Sequence, residues 1–248
     1  MASTYIRRKI NSADGVFEAY VSAGSSLKVL RPGGVLIDPA HARFIRDWIA
    51  PDAVVWDVGC NLGLFAFPAA LKAKAGMIYG FEPDVELAVQ LLRSHRLPLN
   101  KTLKVALFCL AISSANSTAT FQISKFSRAM NRLEGVGNWN DHGVTADEVR
   151  SVVTMRIDSL AQSLRPPTAI KIDVEGAEMH VLEGGEATIA KYRPTILIEG
   201  PRELWEPMGA FFRKHDYVLL DGAAEEQTPL QEPVWDTVAV AQEKFRNR

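Results

Sequence analysis

Short apolar runs and amphipathic stretches take turns along this chain, and each change of rhythm marks an element. In HARFIRDWIA, from His41 to Ala50, the residues Phe44, Ile45, Trp48 and Ile49 recur at helical spacing. Pro51 and Asp52 break that pattern, and VVWDV (54–58) follows as a buried strand. A helix over Leu62–Lys74, a strand MIYGF (77–81), a helix over Val85–His95 and a strand LKVALFC (103–109) come next. Ser151–Arg156 then leads into a short helix, DSLAQSL. AIKID (169–173) reads as a strand, and Ala177–Lys191 as helical in one or two pieces. TILIE (195–199), the helix PMGAFFRKH and the strands YVLLD and VWDTVAVAQ complete the pattern. Strand and helix in alternation predict an α/β fold, a mainly parallel sheet with helices on both faces.

Two segments fall outside this rhythm. Residues 1–36 mix short alternating pieces (FEAYVS, SLKVL) with Gly24, Pro32, Gly33 and Gly34. They predict a small strand-rich extension which, with the helix behind it, occupies residues 1–50 and leaves 51–248 as the main domain. The stretch 126–150, with Asn131, Gly135, Gly137, Asn138, Asn140 and Gly143, is the least patterned. Loops of that length inside a compact domain are uncommon and often cover a site. Arg128, Asn131, Arg132 and Trp139 would suit a lid that grips a polyhydroxylated ligand; a plain surface loop is the competing reading.

Composition excludes partners more than it selects them. A formal net charge of -1 gives no electrostatic footprint for nucleic acid or an anionic membrane. No apolar run approaches the roughly 20 residues of a membrane helix, and MASTYIRRKI has no signal-like apolar core behind it. The two cysteines, Cys60 and Cys109, both lie in apolar surroundings. They read as buried thiols, which points to a cytoplasmic protein.

The first strand ends in DVGCNLG (57–63). Ligands of doubly wound sheets bind outside the carboxyl ends of the strands, where strand order reverses. Gly59 and Gly63 would let the backbone approach a ligand, Asn61 tolerates a left-handed conformation, and Asp57 brings a carboxylate. A helix starting at Leu62 or Gly63 would aim its free N–H groups at the same place. The turn lacks the second glycine of G-x-G-x-x-G and has no Gly-Lys-Ser/Thr, so a pyrophosphate is disfavoured. Glu82, in GFEPD, lies 19 residues beyond Gly63, where an acid of this fold accepts bonds from ribose hydroxyls. It could equally cap the helix that Pro83 opens. A ribose clamp without a pyrophosphate cradle suits S-adenosylmethionine.

The stretch AIKIDVEGAEMHVLEGG (169–185) is the other informative one. Ile170, Ile172 and Val174 point one way, while Lys171, Asp173 and Glu175 alternate onto the opposite side. Charges on a central strand are costly unless they pair or meet a ligand. They could form an ion pair, Lys171 with Asp173 or with Glu199, or serve chemistry; the two readings are compatible. Asp173, Glu175 and Glu199 could also present oxygens to Mg²⁺, but no spacing demands a metal. His180 is a rival base because its imidazole titrates near neutrality, though it lies mid-helix.

Together DVGCNLG, GFEP, IKIDVEGAEMHVLEGG and ILIEG closely resemble the FkbM-type methyltransferases, a family dependent on S-adenosylmethionine. The likeness runs from about Trp48 to Glu199, with Cys60 where the family's first motif has alanine. The family's lysine-x-aspartate-x-glutamate-glycine signature matches Lys171, Asp173, Glu175 and Gly176, and VTMRIDSL resembles the segment before that strand. The resemblance implies a Rossmann-like sheet of seven strands with the last antiparallel, here VWDTVAVAQ. It implies methyl transfer to oxygen, with a hydroxyl of a sugar, glycoside or natural product as acceptor. Cofactor contacts carried over by motif fall on Asp57, Gly59, Asn61, Gly63 and Glu82, and the adenine cover on Ala111 and Ile112. Asp173 or Glu175 is then expected at the acceptor's proton, with Lys171 orienting the carboxylates. A nicotinamide-dependent oxidoreductase and a catalytically silent adenosyl-binding module are the competing function classes.

Overall fold

The fold grows from one central strand that water cannot reach. In β3 (Val54–Val58) every residue is buried, and Trp56 satisfies its indole by donating from Nε1 to the Arg165 carbonyl at 3.1 Å. The computed structural model describes residues 5–22, 37–124, 131–135 and 146–247. On one side of β3 lie β4 (Met77–Phe81) and β5 (Val105–Phe108), both parallel to it. On the other lie β10 (Ala169–Ile172) and β11 (Thr195–Glu199), also parallel, and then β13 (Asp236–Ala241) and β12 (Tyr217–Asp221). The order is β12-β13-β11-β10-β3-β4-β5, and β13 runs antiparallel to both neighbours. This is the seven-stranded sheet with a reversed last strand expected above.

Helices cover both faces because the strands are apolar on both. One face holds α1 (Pro39–Trp48), α2 (Ala66–Lys72) and α3 (Val85–His95), which bury Phe44, Ile45, Phe67 and Leu91 against Val55, Ile78 and Leu197. α8 (Gln242–Arg246) adds Phe245 to that face. The other face holds α4 (Ile157–Leu160), α5 (Glu178–Gly184), α6 (Glu186–Tyr192) and α7 (Trp205–Lys214). Their Ile157, Val181, Ile189 and Phe212 pack on Trp56, Ile170 and Ile196. Side chains set the helix starts: Asp38 accepts from Ala40 N at 2.8 Å and Asp84 from Glu86 N at 2.9 Å.

The segment 5–22 is a hairpin of β1 (Ile6–Ser12) and β2 (Gly15–Val21) lying against α3. The FEAYVS piece falls in β2; SLKVL lies outside the described residues. The outer edge of β2 is bonded by side chains: Ser94 Oγ and Asn100 Oδ1 accept from Tyr20 N and Glu18 N, and Gln90 donates to Tyr20 O.

Three expectations are corrected. The helix after β3 starts at Ala66 rather than Leu62 or Gly63, because Gly63 N turns back to Cys60 O at 2.8 Å. The 126–150 stretch is not one loop. Arg132–Leu133 forms β8, and Ala146–Met155 forms β9, which also takes in residues 151–155. With β6 (Ala111–Ile112) and β7 (Ser117–Ser124) they make a second sheet, in the order β6-β9-β7-β8. Its apolar side, with Ala111, Phe121, Ile123 and Leu133, closes on Ala177 and Val174. Arg128 and Trp139 lie outside the described residues. Cys60 is buried as expected, but Cys109 is exposed. No helix among the described residues is long and apolar enough to cross a membrane.

Candidate active site

A cleft open to solvent lies at the carboxyl ends of β3, β4 and β10 beneath the second sheet. Gly59, Asn61, Glu82, Ala111, Ile112, Asp173 and Glu175 all line it, as do Asn131 and Arg132 of the expected lid. Phe81, Pro83, Leu110, Phe121, Leu133 and Val174 supply apolar wall that the sequence did not single out.

The bend after β3 is anchored before it meets any ligand. Gly59 N and Cys60 N both donate to Phe81 O, at 3.0 and 3.1 Å. Gly59 has φ +80°, and a Cβ there would stand 1.8 Å from the carbonyl oxygen of Asp173. The bend thus rests directly on the end of β10. Gly63, at φ +77°, is bare for a different reason: a Cβ would meet Leu91 and Phe67, so its role is packing and it does not line the cleft. Asn61 holds the left-handed conformation at φ +47°. Its N–H donates to Glu82 Oε2 at 2.9 Å, and Asp84 N donates to Oε1 at 2.8 Å. Burial lifts the Glu82 carboxyl to about 7 against those two bonds. The capping alternative is met by Asp84, the true cap of α3. Cys60 packs its sulfur against the bare Gly80, where a Cβ would come within 3.1 Å, and burial raises its thiol.

Beneath the bend lies a row of charges on the face covered by α1 and α2. Asp57 on β3 and Lys171 on β10 are register partners, and Lys171 Nζ stands 3.6 Å from Asp57 Oδ1. Neither Asp57 oxygen makes a hydrogen bond among the described residues, and the side chain is wholly buried. Asp57 therefore does not line the cleft. Its carboxyl is pushed up by burial, with Lys171 limiting the rise. Lys171 also donates to Gly59 O and to Asp173 Oδ2, each at 3.0 Å. Burial opposes its charge, but Asp173, Asp57 and Glu199 outweigh that and hold the ammonium above its ordinary range. The ion pair foreseen for this strand is present, with Asp173 rather than Glu199 as the closer partner.

Beyond Ile172 the chain bends through Glu175 (φ +55°) and Gly176 (φ +105°). Glu178 holds this bend from α5: its Oε1 accepts from Gly176 N at 3.1 Å and Val174 N at 3.3 Å. The Glu175 carboxyl is raised to about 8 by partial desolvation at the cleft wall, then by Asp173, Glu178 and Glu199. His180 is half-buried on α5 and does not line the cleft. Among the described residues no three His, Cys, Asp or Glu side chains are grouped to hold a metal ion. Asn131 ties the roof to the main sheet, donating to Asp84 Oδ2 at 2.8 Å while its Oδ1 accepts from Ser124 N. Arg150 of β9 adds bonds to Asp84 and Glu86.

A seven-stranded sheet of this order, with an acid closing β4 beside a bare bend and carboxylates closing β10, places the chain among the Rossmann-like methyltransferases. The crystal structure of the methyltransferase FkbM from Methylobacillus flagellatus KT shares this fold, with a TM-score of 0.51 and 18% identity. That match covers 82% of this chain and 48% of the other. The sequence model of the Methyltransferase FkbM domain matches residues 57–219, and the chain belongs to the FkbM methyltransferase family. It is 30% identical to the 2-O-methyltransferase NoeI of Sinorhizobium fredii, over 67% of this chain and 71% of that protein. It is 29% identical to the hexuronic acid methyltransferase AglP of Haloferax volcanii, over 57% of this chain. The chain spans about half of AglP, 54% of its length. The oxidoreductase alternative is thereby set aside.

Proposed function

We propose that this protein transfers a methyl group from S-adenosylmethionine to a hydroxyl oxygen of a small molecule, a sugar or glycoside. The observation that carries the reading is one cleft lined by both the Glu82–Asn61 clamp and the carboxylates of Asp173 and Glu175. Relatives named as a 2-O-methyltransferase and a hexuronic acid methyltransferase support the acceptor class.

The residues present fit an adenosyl group. Each Glu82 oxygen holds one backbone N–H and keeps acceptor capacity for a ribose hydroxyl. Leu110, Ala111, Ile112 and Val174 offer an apolar wall for a flat base. Asp57 acts from below: with Lys171 it fixes the bend that meets the ligand. S-Adenosylmethionine, when bound, supplies an electrophilic methyl group for in-line displacement. Asp173 and Glu175 stand at the proton of the acceptor hydroxyl, with Lys171 orienting Asp173. A base so placed is typically worth about 10²–10⁴-fold, and alignment of the reactants can supply roughly 7–11 kcal/mol.

Calorimetry with S-adenosylmethionine and NAD, followed by a methylation screen of sugars, tests the reading. Binding of NAD instead of S-adenosylmethionine would sink it, and cofactor binding without turnover on any hydroxyl would leave a silent module.

A pH series adds a second check. The ionised Glu82 accepts from ribose hydroxyls, so cofactor affinity is expected to fall as pH drops through about 7. Between pH 8 and pH 6 the loss is about tenfold, the change in the ionised fraction of such a group. Glu82→Gln should bind more weakly with a flat profile; a steep profile in that variant would assign the titration elsewhere.

A further inference from the structure

Beside the cleft stands a histidine–carboxylate pair that lies partly outside the segment matched by the family. His41, the third residue of α1, shares a helix face with Phe44 and Ile45 and so faces the sheet. Its Nε2 lies 2.8 Å from Glu199 Oε1, and its ring packs edge-on against Phe65 at 5.4 Å. With Nε2 engaged, Nδ1 makes no hydrogen bond among the described residues. Glu199 ends β11 one position after Ile198, and Ile198 pairs with Ile172, so Glu199 is level with Asp173 on the neighbouring strand. Asp236 of β13 pairs in turn with Glu199. Asp173 therefore has the cleft on one side and the His41–Glu199 pair, one strand away, on the other.

We propose that the His41–Glu199 pair binds a second hydroxyl of the acceptor, adjacent to the one that is methylated, so that the substrate is a vicinal diol. Neighbouring strands lie about 4.8 Å apart. Asp173 and Glu199 stand at that separation and His41 is bonded to Glu199, so hydroxyls held about 2.7–2.8 Å from Asp173 and from the pair fit oxygens on adjacent carbons. Asp173 holds the reacting hydroxyl and His41, fixed by Glu199, holds its neighbour. The inference rests on the sugar-methylating reading and narrows its substrate.

The test uses the whole chain, S-adenosylmethionine, methyl hexosides as acceptors, and the matching monodeoxy sugars that lack one neighbouring hydroxyl. His41→Ala is expected to raise the acceptor KM roughly 10–100-fold on the diol, the range for a lost hydrogen bond to a charged or polarised group. It should leave the deoxy sugar and the Kd of S-adenosylmethionine nearly unchanged. Glu199→Gln, which keeps the shape, should show the same preference in weaker form, and His41→Gln should recover part of the loss. Equal effects of His41→Ala on diol and deoxy sugars, or a lower Tm with no change in KM, would reduce the pair to a clamp between α1 and β11 and overturn the inference. If the unaltered protein methylates none of these sugars, the sugar reading itself fails, and the diol with it.

Discussion

Asp173→Asn is expected to cut turnover by about 10²–10⁴-fold, the usual worth of a positioned proton acceptor. The substitution keeps the volume and the oxygen that could still face Lys171 Nζ, now 3.0 Å from Oδ2, so the fold around the site survives. What disappears is the charge at the cleft wall. The Kd for S-adenosylmethionine should change by only a few-fold, because the adenosyl contacts proposed here sit on Glu82, Asn61 and the wall around Ala111. Rate measurements at saturating cofactor beside calorimetry separate the two quantities. Parallel losses in rate and in cofactor binding would instead make Asp173 a cofactor ligand. Glu175→Gln in the same assays ranks the two carboxylates: the larger fall in kcat marks the one that takes the proton.

The second large effect concerns stability. Lys171→Met removes the cation paired with Asp57 while leaving that carboxylate wholly buried. Breaking a buried pair from one side costs about 3–5 kcal/mol, because the remaining charge has no counter-ion. In a protein of this size each kcal/mol is worth roughly 2–4 °C, so Tm should fall by roughly 6–20 °C. Asp57 already has its carboxyl pushed up by burial, and losing Lys171 pushes it further. A group whose folded pKa is raised contributes stability below its unfolded value and loses it as pH rises through the folded one. The variant's deficit should therefore shrink as pH falls. Pairing the change with Asp57→Asn removes the stranded charge and should restore much of the loss. Melting curves across pH for the single and double variants decide it: a single variant that melts within about 2 °C of the parent would show that the row of charges contributes little to the fold.

How far the sequence could be read depended on whether a signal was local. β3, β4, β10, β11 and β12 each announce themselves as short apolar runs bounded by turn residues, and their observed limits differ from the expected ones by at most one residue. The bend at Gly59 and the acid at Glu82 were equally plain, since left-handed backbone and strand-end position are written in neighbouring residues. The reason Gly59 must be bare was not legible. It depends on the carbonyl of Asp173, more than a hundred residues away. The second sheet escaped for the same cause. Ala119, Phe121 and Ile123 alternate as a strand should, but their partners Val152, Arg150 and Glu148 lie across a glycine- and asparagine-rich interval that reads as loop. Asp57 invited a ligand contact by its place in the motif, and only the register with Lys171 showed it to be enclosed. His41 carried one faint signal, its place a turn ahead of Phe44 and Ile45; nothing local paired it with Glu199.

The contact between the bend after β3 and the end of β10 has a further consequence. A main-chain oxygen fills the space a methyl would need, so the two halves of the crevice abut without slack. Nudging one nudges the other. Thermodynamic linkage then makes any tightening that the first ligand confers on the second mutual and equal in magnitude, whichever arrives first.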